Sequence, residues 1–187
     1  MDTSPSDEDL MLRYASGDAA AFDLLYARHR GGVYRYLLRQ CGQRAAAEEL
    51  FQDVWTNLIQ ARSRYRADAK FATYLYTVAH NRLMDHFRRQ RGARTESLDD
   101  DENALQEPVA TPALQPERIA EARQQAARLL TLVESLPQAQ REVFLLHEEG
   151  GLALDEIANV TGANREAVKS RLRYALSKLR EGMKEYW

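Results

Sequence analysis

The sequence predicts an all-α protein of two small helical domains joined by an acidic, proline-containing linker. Three observations carry that expectation. Apolar residues recur at helical spacing over most of the 187 residues, with few β-branched residues and only nine glycines. The periodicity fails once, over residues 92–116, where Gly92, the run Asp99-Asp100-Asp101-Glu102 and Pro108, Pro112 and Pro116 gather. That composition repels itself and has no core to bury. Charge is also unevenly spread: residues 28–94 carry fourteen bases and five acids, whereas residues 95–117 carry seven acids and no base. The domain limits expected are thus 1–92 and 117–187, with 93–116 between them.

Each element has a local reason. A first helix is expected over Asp7–Ser16, stopped by Gly17-Asp18. The second, from Ala19 to about Arg39, has Phe22, Leu25, Tyr26, His29, Val33, Tyr36 and Leu37 on one stripe. Gly31-Gly32 interrupts it at a cost of about 1 kcal/mol per glycine, and Cys41-Gly42 ends it. A third, Ala45–Ala61, buries Leu50, Phe51, Val54, Trp55, Leu58 and Ile59 and leaves Glu49, Gln52, Asp53 and Asn57 outside the stripe. The charged stretch 62–70 has no period and reads as a loop. The fourth helix, Phe71–Arg91, turns Leu75, Val78, Ala79, Leu83 and Phe87 inward. The second domain should hold helices over Glu117–Ser135, Pro137–Glu148, Leu154–Val160 and Asn164–Tyr186, with breaks at Leu136-Pro137, Gly150-Gly151 and Thr161-Gly162-Ala163.

Several function classes are excluded. The single cysteine forms no internal disulfide, and no apolar run approaches the roughly 20 residues of a membrane span. The start, Met1-Asp2-Thr3-Ser4-Pro5, is too polar for a signal peptide. His29, His80, His86 and His147 lack partners at metal-ligand spacing, and no phosphate loop or nucleophile elbow is present. Neither an enzyme nor a metal or cofactor site is expected.

Two segments point to DNA. Leu154 to Val168 reads as a helix-turn-helix, with small Ala158 at the crossing, Gly162 at the turn, Ile157 and Val168 as anchors, and Asn164 as a cap. Its second helix carries Arg165, Lys169, Arg171, Arg173 and Lys178, which suits the major groove. In the first domain, Tyr65, Phe71, Tyr74 and Tyr76 interleave with Arg62, Arg64, Arg66 and Lys70, and Arg82, Arg88 and Arg89 follow. Aromatic platforms among cations suit unpaired bases. The residues alone leave two other readings open. One is a stand-alone helix-turn-helix regulator with an N-terminal dimerisation or sensor domain, and the other is a helical adaptor that binds only protein.

The pattern resembles the extracytoplasmic-function group of bacterial RNA polymerase sigma factors. The resemblance rests on Ala19–Tyr26 and Ala47–Trp55, on Phe71–Asn81 followed by Asp85–Arg89, and on Leu136-Pro137, Glu156–Ala158 and Val168–Leu172 in that order. Tyr74 stands where the family usually has Trp, and Asn164–Val168 replaces its usual Ser-x-Gly-Thr-Val. The resemblance implies roles. Glu49, Gln52, Asp53 and Asn57 would dock on the polymerase β′ clamp, and the β flap would be a second contact. Arg64, Tyr65, Lys70, Tyr74, Asn81 and Arg88 would open the minus-ten element. Lys169, Ser170, Arg173 and Tyr174 would read the minus-thirty-five element, with Arg165, Arg171 and Lys178 on phosphates. The acidic linker would lie in the RNA-exit path. A cytoplasmic factor, monomeric when free, is implied, and an anti-sigma factor is among the partners it allows. The end at Trp187 predicts no appended sensing domain.

Overall fold

The computed structural model describes residues 4–93 and 116–184. These form eight α-helices: α1 (Asp7–Ala15), α2 (Ala19–Cys41), α3 (Arg44–Ala61), α4 (Phe71–Ala93), α5 (Pro116–Glu134), α6 (Gln138–Glu148), α7 (Leu154–Thr161) and α8 (Arg165–Gly182). A single 3-10 turn, Arg62–Arg64, follows α3. No strand occurs among the described residues. The expected linker lies outside them.

Most boundaries follow from caps. Ser6 accepts the Asp9 N–H at the start of α1, and Asp18 accepts that of Ala21 at the start of α2. Asp18 also takes Arg13 at 2.6 Å, and that hydrogen bond lowers its pKa. Gly42, at φ +72°, closes α2 in the left-handed region. α4 is capped from outside its own sequence neighbourhood: the Phe71 N–H donates to the Glu8 carboxylate of α1 at 2.7 Å. Asp7 beside it holds Arg28 and His29, each at 2.6 Å. The acidic first helix is thereby tied to the basic stretch of its own domain.

The first-domain core is made by Leu10, Leu25, Leu37, Leu50, Leu58, Phe71, Leu75 and Leu83, all essentially inaccessible. Each such side chain contributes about 1.5–3 kcal/mol of transfer free energy. Trp55 closes the core's edge, meeting Tyr26 and Phe22 edge-on at 4.9 and 5.9 Å. In the second domain, Val133, Val143, Leu146, Ile157, Val168, Ala175 and Leu179 form the corresponding cluster.

The two halves also pack on each other. Tyr36 and Tyr76, 5.5 Å apart edge-on, join both clusters into one buried set, with α4 against α7 and α2 against α6. The sequence treats the halves as independent units because the contact depends on pairs more than sixty residues apart, which no local period records. α2 also runs unbroken through Gly31-Gly32. Gly32 is required there, since a Cβ would lie 2.8 Å from both the Glu149 carbonyl oxygen and the Tyr76 hydroxyl.

Candidate DNA and polymerase interfaces

α4 projects three of the expected side chains at intervals of seven. Tyr74, Asn81 and Arg88 fall two turns apart along one stripe, while Leu75, Ala79 and Leu83 hold the opposite face in the core. Asn81 is exposed, and exposed Arg88 has Asp85 at 3.1 Å. Arg64, exposed in the 3-10 turn, and Lys70, exposed before the first turn of α4, stand at the N-terminal end of the stripe. Lys70 meets Glu156 of α7 at 3.0 Å. Burial alone would raise the Glu156 carboxyl, but the Ala153 N–H and Lys70 outweigh it and hold it below its ordinary value.

Tyr65 corrects an expectation. Its charged, aperiodic neighbours predict an open platform in a polar loop, yet it is only 9% exposed. Phe71 covers it at 6.3 Å and Tyr74 at 5.3 Å, both edge-on. Burial pushes its hydroxyl up to about 12, with Glu8 nearby adding to the effect. Tyr74, half-buried, therefore presents its ring with Tyr65 fixed behind it.

On α3, Glu49 and Gln52 are exposed and Asp53 and Asn57 partly so, on one side of the helix. Asn57 donates its amide to the Asp53 carbonyl at 2.8 Å. Behind this face lies His86, whose pKa burial and then Arg89 lower, opposed by Glu49.

In the second domain the helix-turn-helix is built as its residues require. Gly162 makes the turn at φ +68°, and Asn164 accepts the Ala167 N–H at 2.8 Å to start α8. Thr161 is accommodated because its hydroxyl donates back to the Ile157 carbonyl at 2.8 Å. Glu156 accepts the Ala153 N–H at 2.7 Å and so caps α7. On α8, Arg165, Lys169 and Arg173 recur every four residues, and Ser170, Tyr174 and Lys178 do the same on the adjoining strip. Tyr174 is 53% exposed with Arg173 over its ring at 5.1 Å. Arg171 is half-buried, and Arg165 is drawn to Asp155 at 2.8 Å. Behind α8, Leu129, Phe144, Leu176, Leu179 and Met183 line an apolar groove of about 390 Å³.

Comparisons with known proteins match the chain in two stretches. Residues 25–93 match the family model described as Sigma-70 region 2, and residues 126–179 match the one described as Sigma-70, region 4. Over 171 residues the chain is 31% identical to RNA polymerase sigma factor CarQ of Myxococcus xanthus, spanning 91% of this chain and 94% of that relative. It is also 31% identical over 169 residues to ECF RNA polymerase sigma factor RpoE of Cereibacter sphaeroides, spanning 89% and 88%. The chain belongs to the ECF sigma factors. It therefore binds core RNA polymerase and directs transcription initiation at promoters, which sets aside the stand-alone regulator and the protein-only adaptor.

Two solved structures share the fold. The sigma factor RpoE of Bartonella quintana, in complex with the anti-sigma factor NepR, superposes with a TM-score of 0.71 at 18% identity, over 87% of this chain and 96% of that one. CnrH, in complex with the cytosolic domain of CnrY, gives 0.65 at 24%, over 97% and 99%. No described helix of this sigma factor is long and apolar enough to cross a membrane. No cluster of potential metal ligands occurs among its described residues.

Two features escaped sequence reasoning. The Glu8 cap spans 63 residues of sequence, and only the acid-rich start hints at it. The corner formed by Gly32, Arg35, Tyr76 and Glu149 had one legible signal, a glycine pair inside a strong helix.

Proposed function

We propose that this sigma factor divides initiation between a strand-opening first domain, residues 1–92, and a duplex-reading second domain, residues 117–187. The unpaired minus-ten strand lies along α4. A base stacks on Tyr74, Asn81 hydrogen-bonds a base edge, and Arg64, Lys70 and Arg88 meet phosphates. Tyr65 acts behind Tyr74 as the ring that fixes its angle. The stripe of half-buried Tyr74 and exposed Asn81 and Arg88, on a helix whose other face is buried, is the observation that carries this reading.

In the duplex, α8 enters the major groove of the minus-thirty-five element. Lys169, Ser170, Arg173 and Tyr174 face bases, and Arg165, Arg171 and Lys178 contact phosphates. The exposed side of α3, Glu49 to Asn57, docks on the β′ clamp, and the apolar groove behind α8 receives the β flap. The acidic residues 93–116 occupy the RNA-exit path. The factor works in the cytoplasm beside polymerase, without cofactor or metal and without catalysis of its own. An anti-sigma factor, the kind of partner seen with the Bartonella quintana neighbour, regulates it.

Tyr74→Ala in reconstituted holoenzyme tests the division. Loss of one stacked base, about 1–3 kcal/mol, should cut open-complex formation, read by permanganate reactivity, by about tenfold. Binding to a minus-thirty-five duplex should stay near wild type. An equal loss of both overturns the proposal.

A further inference from the structure

α8 has two opposite faces. Val168, Ala175 and Leu179 are buried in the second-domain core. Directly across the helix, Glu166, Ser170, Arg173 and Ser177 follow at spacings of four, three and four, which at 3.6 residues per turn is one straight row. Lys169 and Tyr174 flank that row. Its N-terminal leader, Glu166, is an acid at the head of the duplex-reading set.

A carboxylate stands there against the charge of its surroundings. From Arg165 to Lys178 the helix carries five bases, and Glu166 is the one acid. Its oxygens repel phosphates, which weakens binding to any duplex. The helix start does not depend on it as a cap. Asn164 already accepts the Ala167 N–H at 2.8 Å, and the third helical position, where a reciprocal cap would sit, is Ala167. Glu156 holds that position in α7 and accepts the Ala153 N–H at 2.7 Å. Arg165 does not neutralise Glu166 either. Its Nε is bonded to Asp155 at 2.8 Å, and its Nη1 stands 3.8 Å from the Glu166 oxygen, beyond hydrogen-bond distance. The Glu166 side chain is 75% exposed, on the face turned away from the core.

The chemistry of that position is narrow. An ionised carboxylate accepts hydrogen bonds and donates none. In the major groove guanine presents two acceptors, thymine an acceptor and a methyl group, and adenine a donor beside an acceptor. Cytosine alone presents an amino donor with no acceptor beside it. The residues of a recognition helix that reach base edges are those near its N-terminus, where Glu166 lies.

We propose that Glu166 is a specificity-determining residue: its carboxylate accepts from the N4 amino group of one cytosine in the minus-thirty-five element and disfavours the other three bases there. The proposal rests on the reading above that α8 enters the major groove. Glu166 falls where the usual Ser-x-Gly-Thr-Val has glycine, so the contact is a property of this chain's own sequence.

Reconstituted holoenzyme tests it on promoter duplexes randomised across the minus-thirty-five element alone, with the bound fraction sequenced. Wild type should enrich cytosine over thymine about tenfold at one position. Glu166→Ala should bring that ratio close to one and leave the preferences at the other positions unchanged. Glu166→Gln should admit adenine at the same position, because an amide donates to N7 while it accepts from N6. A cytosine preference kept in Glu166→Ala, or adenine still excluded with Glu166→Gln, overturns the contact. So does an even loss across all positions, which would make Glu166 a support of the helix start, or an even gain, which would make it a mere repulsion of phosphate. A wild type with no base preference anywhere in the element overturns the duplex reading by α8 and this contact with it. Preferences that persist at every position in Glu166→Ala strike the contact alone and leave the duplex reading standing.

Discussion

Replacing Glu8 with alanine tests the longest-range determinant of the strand-opening site. Its carboxylate is the side-chain cap on the first N–H of α4, at 2.7 Å, from a helix 63 residues away. An orphaned N–H at a helix start costs about 0.5–2 kcal/mol when its cap is lost. The bond is charge-assisted and partly buried, which places it in the upper half of that range. We therefore expect Glu8→Ala to cost about 1–2 kcal/mol. At about 2–4 °C per kcal/mol for a chain of this size, Tm should fall by about 2–8 °C. Glu8→Gln keeps an acceptor but not the charge at the helix dipole, and should cost about 0.3–1 kcal/mol. Urea unfolding monitored by Trp fluorescence follows the loss directly, because Trp55 sits in the same core. Permanganate reactivity in holoenzyme should fall with Glu8→Ala, since Lys70 and Tyr74 flank the released turn. A Tm unchanged in both variants, or Gln as damaging as Ala, would refute the cap.

Further outcomes follow from other contacts. Tyr65→Phe removes a buried hydroxyl that has no hydrogen-bond partner, so stability should hold or rise by up to about 1 kcal/mol, and open-complex formation should be unchanged. A large loss of melting in that variant would place the hydroxyl on DNA. Asn164→Ala should cost about 1 kcal/mol at the start of α8 and weaken holoenzyme binding to a minus-thirty-five duplex more than to a minus-ten fork, read by anisotropy. The lowered pKa of Glu156 contributes stability that is complete above its ordinary value of 4.5 and is lost as pH falls through the folded value. Glu156→Gln should therefore flatten the acid limb of the stability–pH curve, and an unaltered limb would rule that contribution out.

The helical register was legible because each stripe is a local fact. Leu75, Ala79 and Leu83 declare the buried side of α4, and by subtraction Tyr74, Asn81 and Arg88 its outer side. Caps made within three residues, such as Asn164, were legible for the same reason. The burial of Tyr65 is not legible because its neighbours are charged, and composition speaks for the loop rather than for the ring packed beneath it. Glu8 and Glu149 were hidden because their partners lie 63 and 114 residues distant, and a carboxylate in sequence looks the same whether it is solvated or bonded. Gly32 shows what such distance leaves behind, a local oddity whose reason lies in another helix.

The seven-residue spacing along α4 also sets a ruler. Two turns advance about 10.5 Å, and three stacked nucleotides advance about 10 Å. A strand laid beside Tyr74, Asn81 and Arg88 would thus meet a ring, an amide and a guanidinium at every third nucleotide. Two promoter positions three apart would be read by different chemistry, one by stacking and one by hydrogen bonding, while the guanidinium on the backbone three further on would set the strand's register.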